Sequence, residues 1–146
     1  MKRSIEVARV IPASSAAVWS ELSELEHHVK WMADAESLHF HSDQRRGTGV
    51  SFDCITKVGP FRLRDTMTVT QWREGQAIGV THTGLVTGSG IFELEARSSE
   101  HTTVTWNETL NFPAWMFGFV GAYVAGFVLK AIWKRNLARF EALILS

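Results

Sequence analysis

The segment from Phe117 to Leu143 constrains the fold more than any other part of this chain. Its composition is that of a helix, but the two halves differ. The first half is apolar nearly all round, whereas the second sets Leu129, Trp133, Leu137 and Phe140 against Lys134, Arg135 and Arg139. A helix that is apolar on every side has to be buried on several sides. A bilayer or an enclosing protein layer would satisfy that need. The uncharged stretch from Phe112 to Leu129 reaches the minimum length of a spanning helix. However, Pro113 stands near its start, Gly118, Gly121 and Gly126 lower its hydrophobicity, and Lys130 closes it. The preceding residues decide the matter, because they form strands whose apolar face needs a partner. The expectation is an α+β fold, a curved antiparallel sheet wrapped around a long C-terminal helix, in one domain spanning residues 1–146.

The strands are legible from their alternation. Ile5, Val7, Val10 and Ile11, broken by Glu6 and Arg9, form a short first strand that ends at Pro12. Val18, Trp19, Leu22 and Leu25 then recur at helical spacing behind Ser14 or Ser15 as cap, and the segment Glu26 to Trp31 ends or kinks that helix. Leu38 and Phe40 mark an outer strand, and Val50, Phe52 and Cys54 the next. Gly59 and Pro60 make a turn. Leu63, Met67 and Val69 share a face that Asp65 interrupts, which marks either a polar spot or a bulge that swaps faces. Gln71 to Gly75 reads as a turn. Ile78, Val80 and His82 share the next face, and Phe92, Leu94 and Ala96 follow Gly88 and Gly90. Val104, Trp106, Glu108 and Leu110 alternate with Thr103, Thr105, Asn107 and Thr109 in the last strand. Short turns between the strands imply a meander rather than parallel crossovers.

The string Val10, Ile11, Pro12, Ala13, Ser14, Ser15, Ala16, Ala17, Val18, Trp19, with Leu22 and Trp31 after it, resembles the opening of the polyketide cyclase and START-like (SRPBCC) superfamily. Val104 with Trp106 and the long final helix fit the same pattern, so the resemblance covers nearly the whole chain. It implies a helix-grip fold, also that of the birch-pollen allergen: seven strands gripping the last helix, two short helices, and a cavity between sheet and helix. It does not imply one activity, since members bind sterols, lipids, hormones or polyketide intermediates, some catalyse cyclisation or dehydration, and some are labelled as toxins. Trp31 is followed here by Met32, Ala33 and Asp34, where many relatives have a proline, so the loop at the cavity mouth is expected to differ in shape.

Composition narrows the classes further. Fifteen Lys and Arg balance fifteen Asp and Glu, so no net field draws nucleic acid or an anionic membrane, and no nucleic-acid partner is expected. Cys54 is the only cysteine, which excludes an internal disulfide and a thiolate-rich metal site within one subunit and suits a cytoplasmic location. The charged N-terminus lacks the apolar core of a signal peptide. No metal site or cofactor is read from the sequence, because His39 and His41 share a strand parity but lack an identifiable third ligand.

Two groups stand out chemically. If Val104, Trp106, Glu108 and Leu110 face the helix, Glu108 is a carboxylate on an apolar face, and burial would raise its pKa toward the range of a general acid or base. The plainer reading is a rim carboxylate or one paired with an arginine. His82, on the face of Ile78 and Val80, titrates near neutrality, although such a histidine also serves simply as a hydrogen-bonded core residue. An internal cavity would draw its lining from Trp31, Phe52, Met67, His82, Phe92, Trp106, Glu108, Met116, Phe119, Tyr123 and Phe127. The same rings would also serve to fill a solid core.

The leading expectation is a protein that binds a small hydrophobic molecule or lipid in that cavity. The alternatives are a cyclase or dehydratase using Glu108, with His82 or Asp65, and an interaction protein presenting the edge from Phe112 to Phe119 to another subunit. A transient membrane contact around Phe112 to Phe119 would accompany entry of lipid into the cavity, and a homodimer would be a further partner.

Overall fold

The computed structural model describes residues 2–58 and 60–146. Side chains are described for all of these except 58, 61, 114, 116–120, 122 and 123. Seven antiparallel strands lie in the order β1-β7-β6-β5-β4-β3-β2. They are β1 (Lys2–Ile11), β2 (Ala35–Phe40), β3 (Ser51–Val58), β4 (Phe61–Arg73), β5 (Ala77–Gly84), β6 (Thr87–Ala96) and β7 (Thr102–Asn111). The helices are α1 (Ser15–Leu22), α2 (His28–Trp31) and α3 (Ala114–Leu145), with a single 3₁₀ turn, Leu25–His27, between the first two. This is the expected helix-grip architecture.

Local chemistry explains the boundaries. Pro12 stops β1, and the Ser14 hydroxyl accepts a hydrogen bond from the Ala17 N–H at 3.1 Å, capping α1. The helix expected to reach Leu25 ends at Leu22, and the chain continues through the 3₁₀ turn into α2. His28 holds that junction by donating from Nε2 to the Leu22 carbonyl at 2.7 Å. The expected turn at Gln71 to Gly75 begins later, because β4 runs on to Arg73 and pairs with Ala77. The Glu74 carboxylate beyond it accepts from both Trp19 Nε1 and Trp72 Nε1, each at 2.8 Å, and so ties α1 to this hairpin.

The core is concentrated around the C-terminal half of α3. Trp133, Leu137 and Phe140 are buried there against α2 and the inner face of the sheet. Trp31 packs against Phe140, Phe92 and Trp106 with ring centroids 4.8, 5.9 and 6.0 Å apart, and Trp106 stacks on Trp133 at 4.8 Å. Each such ring contributes roughly 1.5–3 kcal/mol through burial alone. Asn136, fully buried, accepts from the Ala33 N–H at 3.0 Å and donates to Asp34 at 2.7 Å, so a polar clamp fixes the post-α2 loop to the helix. The outer face of the sheet is lined with ion pairs, among them Arg64 with Asp53 at 2.7 Å and Arg62 with Glu36 at 2.9 Å. Among the described residues no helix is long and apolar enough to cross a membrane.

Candidate functional site in the cavity beneath the terminal helix

Between the N-terminal half of α3 and the sheet lies a cavity of about 750 Å³, within the range of small-molecule sites. Its walls are largely apolar. Phe52, Leu63, Met67, Ile78, Val80, Phe92, Trp106 and Leu110 rise from the sheet, and Gly121, Ala125, Leu129, Ile132 and Trp133 come from one stripe of α3. Val124 and Val128 both line the cavity and are exposed, which places its mouth along that helix.

A polar group is set into the floor where β4, β5, β6 and β7 lie side by side. Glu108 on β7 faces inward, as the alternation of its strand requires, and its Oε1 accepts from Trp106 Nε1 at 3.1 Å. His82 on β5 places Nε2 3.6 Å from Glu108 Oε1, an ion-pair distance longer than a hydrogen bond. Asp65 on β4 completes the group. Its register is continuous, opposite Cys54 on one side and Gly84 on the other, and the irregularity of this strand lies further on, between Val69 and Gln71. Asp65 is thus a polar spot in the cavity, and no bulge swaps its face.

Two glycines make room for these carboxylates. A Cβ on Gly90 would lie 2.7 Å from Glu108 Cγ and 2.8 Å from its Oε1. A Cβ on Gly84, whose φ is +149°, would collide with Asp65 Oδ1. Gly84 and Gly90 thus seat the two acids.

Burial and charge set the protonation of the group. For His82, burial opposes the charged form, but Glu108 and Asp65 more than offset it and the pKa is raised. Burial raises the pKa of Asp65, with the His82 charge and the Val86 N–H acting in the opposite direction. His28, also on the cavity wall, is lowered to about 4 by burial and is neutral at pH 7. The Cys54 thiol is pushed up to about 11 by burial, which leaves it protonated and a poor nucleophile. Among the described residues no three His, Cys, Asp or Glu side chains gather as metal ligands. His39 contacts Ser37 and His41 pairs with Asp53 instead.

Of the residues expected around a cavity, Phe52, Met67, His82, Phe92, Trp106 and Glu108 line this one. Trp31 lies one layer behind, wholly buried and packed on the backs of Phe92 and Trp106. Phe127 turns away from the cavity and is 58% exposed, because the 100° step between helical residues puts it on the side opposite Gly121, Ala125 and Leu129. Met116, Phe119 and Tyr123 lie outside the described residues. Asp34, Cys54, Leu110 and Trp133 also line the cavity. Leu110 could have been found from its parity with Glu108, whereas nothing in the local sequence marks Asp34.

Residues 2–144 match the family profile described as polyketide cyclase / dehydrase and lipid transport. The chain belongs to that family. Its fold is similar to that of a protein from Thermus thermophilus, with a TM-score of 0.85 at 16% identity over 98% of this chain and 97% of the other. It is likewise similar to the Zhui aromatase/cyclase of a Streptomyces species, strain R1128, with a TM-score of 0.73 at 14% identity over 99% and 92% of the two chains. Truncated norcoclaurine synthase from Thalictrum flavum gives a TM-score of 0.75 at 13% identity over 100% and 95%. At such identities the likeness is one of fold. A comparison with curated proteins finds no match.

Proposed function

We propose that this family member is an acid–base enzyme that holds a hydrophobic molecule in the cavity and removes water from it, with Glu108 and His82 as the proton-transfer couple. The observation that carries this reading is the His82–Glu108 pair, two titratable side chains 3.6 Å apart and buried in a largely apolar cavity. A storage or carrier protein has no need of such a pair, since an uncharged floor would bind an apolar ligand without the cost of desolvating two ionisable groups. The relation to cyclases and dehydrases, and the aromatase/cyclase among proteins of similar fold, support the same class of chemistry.

The step balances within the pair. Glu108 takes the proton from the carbon beside a carbonyl, the imidazolium of His82 gives a proton to the hydroxyl two carbons away, and the C–O bond breaks as the C=C bond forms. Water leaves, Glu108 is protonated and His82 is neutral. Transfer of that proton from Glu108 to His82 across the short gap restores the starting state. Trp106, donating to Glu108, keeps the carboxylate aimed. The lone reduced cysteine fits a cytoplasmic setting for such an enzyme.

The test uses a naphthyl β-hydroxyketone and follows formation of the conjugated enone by absorbance. The wild-type protein is expected to form it, and Glu108→Gln and His82→Gln to lose about a hundredfold or more in kcat while the KM changes little. Tight binding of the hydroxyketone without turnover by the wild type would return the protein to the role of carrier.

A further inference from the structure

Asp65 has no part in the couple described above, yet it is 7% exposed and its Oδ1 has no hydrogen-bond partner. A buried carboxylate oxygen left without a donor is costly, and such a group marks a place for something else to bind. The charges on the cavity wall indicate what that is. Asp34, Asp65 and Glu108 line the cavity, and no lysine or arginine is among its described lining residues. Asp34 is already served by Asn136 Nδ2 and Trp133 Nε1. Glu108 and His82 offset one another, and His28 is neutral at pH 7. Asp65 and Glu108 therefore share the single imidazolium of His82, so this group holds one acid more than it holds cations, and Asp65 Oδ1 is the carboxylate oxygen left without a donor.

We infer that the ligand of this cavity carries a positively charged nitrogen, an alkylammonium group on a hydrophobic body, and that Asp65 is the specificity-determining residue that receives it. The inference rests on the cavity being the substrate site. A second feature fits the same sign of charge: Phe92, Trp106 and Trp133 are among the lining residues, and aromatic rings favour a cation over a carboxylate. Fatty acids and phosphate-bearing lipids would bring a further negative charge beside two acids that already share one imidazolium, so the site selects against them.

The experiment is titration calorimetry at pH 7 with three probes that share one aromatic body: naphthylethylamine, naphthylethanol and naphthylacetate. Naphthylethylamine is expected to bind about tenfold or more tightly than naphthylethanol, and naphthylacetate most weakly. The wild-type ranking decides the charge rule without any variant. In Asp65→Asn, which keeps the side-chain shape, the amine and the alcohol are expected to bind within about threefold of each other. Naphthylacetate binding as tightly as the amine, or an amine preference that survives Asp65→Asn, would overturn the inference and leave the cavity reading standing. Failure of all three probes to bind would overturn both.

Discussion

The two halves of α3 are one continuous helix in two different environments. From Trp133 to Phe140 the helix is gripped: its apolar stripe meets α2 and the aromatic cluster, and Asn136 is locked to the loop before β2. Toward its start the helix instead roofs a cavity and leaves Val124 and Val128 open to solvent. Rigid packing and a ligand-sized space are therefore separated along a single element. The difference shows how a small domain keeps an unfilled interior: stability is concentrated at one end, so the other end can remain incompletely packed.

The widest gap between the halves should appear on truncating Phe140, which is wholly buried. Phe140→Ala is expected to cost about 3–5 kcal/mol by urea denaturation. A cost under about 1 kcal/mol would mean that the gripped end is not the stable one.

The next effect is one of pH. His28 lies where the two environments meet, and its pKa falls from 6.5 to about 4 in the folded chain through burial. Above pH 6.5 the imidazole is neutral whether the chain is folded or not. As the pH falls from 6.5 toward about 4, the unfolded chain takes up a proton that the folded chain resists, and stability declines by about 3 kcal/mol before levelling off. His82, whose pKa is raised, contributes with the opposite sign, since its stabilisation is present below 6.5 and is lost as the pH rises through the folded value. Urea midpoints of the wild type and His28→Gln at pH 7 and pH 4.5 separate the two. The variant should lose less stability on acidification, and equal losses would count against the buried neutral His28.

A smaller effect on stability, with a large one on chemistry, is expected on the floor of the open half. Gly90→Ala inserts a methyl group against Glu108, and it should cost about 1–2 kcal/mol and displace the carboxylate from His82. Enone formation should fall nearly as far as in Glu108→Gln, and retained activity would show that the seat of Glu108 is not needed. At the mouth, Val124→Ala should change stability by about 0.5 kcal/mol or less, measured by the same denaturation.

How much of this was legible in the sequence follows the same division. The last strand announced itself, because Val104, Trp106, Glu108 and Leu110 alternate with hydroxyl and amide residues, and the face they define is the one buried. The gripped half of α3 was equally plain, since Lys134, Arg135 and Arg139 fix its phase. In the open half the helix is apolar all round, so periodicity carries no phase, and Phe127 was expected inside when it lies outside. Asp65 was ambiguous for a different reason: its face is set by pairing with Cys54 and Gly84, partners that local sequence does not reveal. The role of Gly90 depends on a side chain of the neighbouring strand, and that of Asn136 on a backbone N–H far away in sequence.

The order of the strands also governs how the molecule is made. β1 and β2 follow one another in the chain yet occupy opposite edges of the sheet, and β1 pairs from Lys2 with Asn111 to Ile11 with Thr102. On the ribosome β1 emerges well before β7 and has no partner in this sheet until β7 has followed it. Pairings between distant residues fold slowly, because the loop must close before any contact rewards it. The meander from β2 to β7 can assemble hairpin by hairpin while β1 waits. β1, made before the strand it pairs with, is thus among the last of the seven to dock, and until then its apolar face stays uncovered.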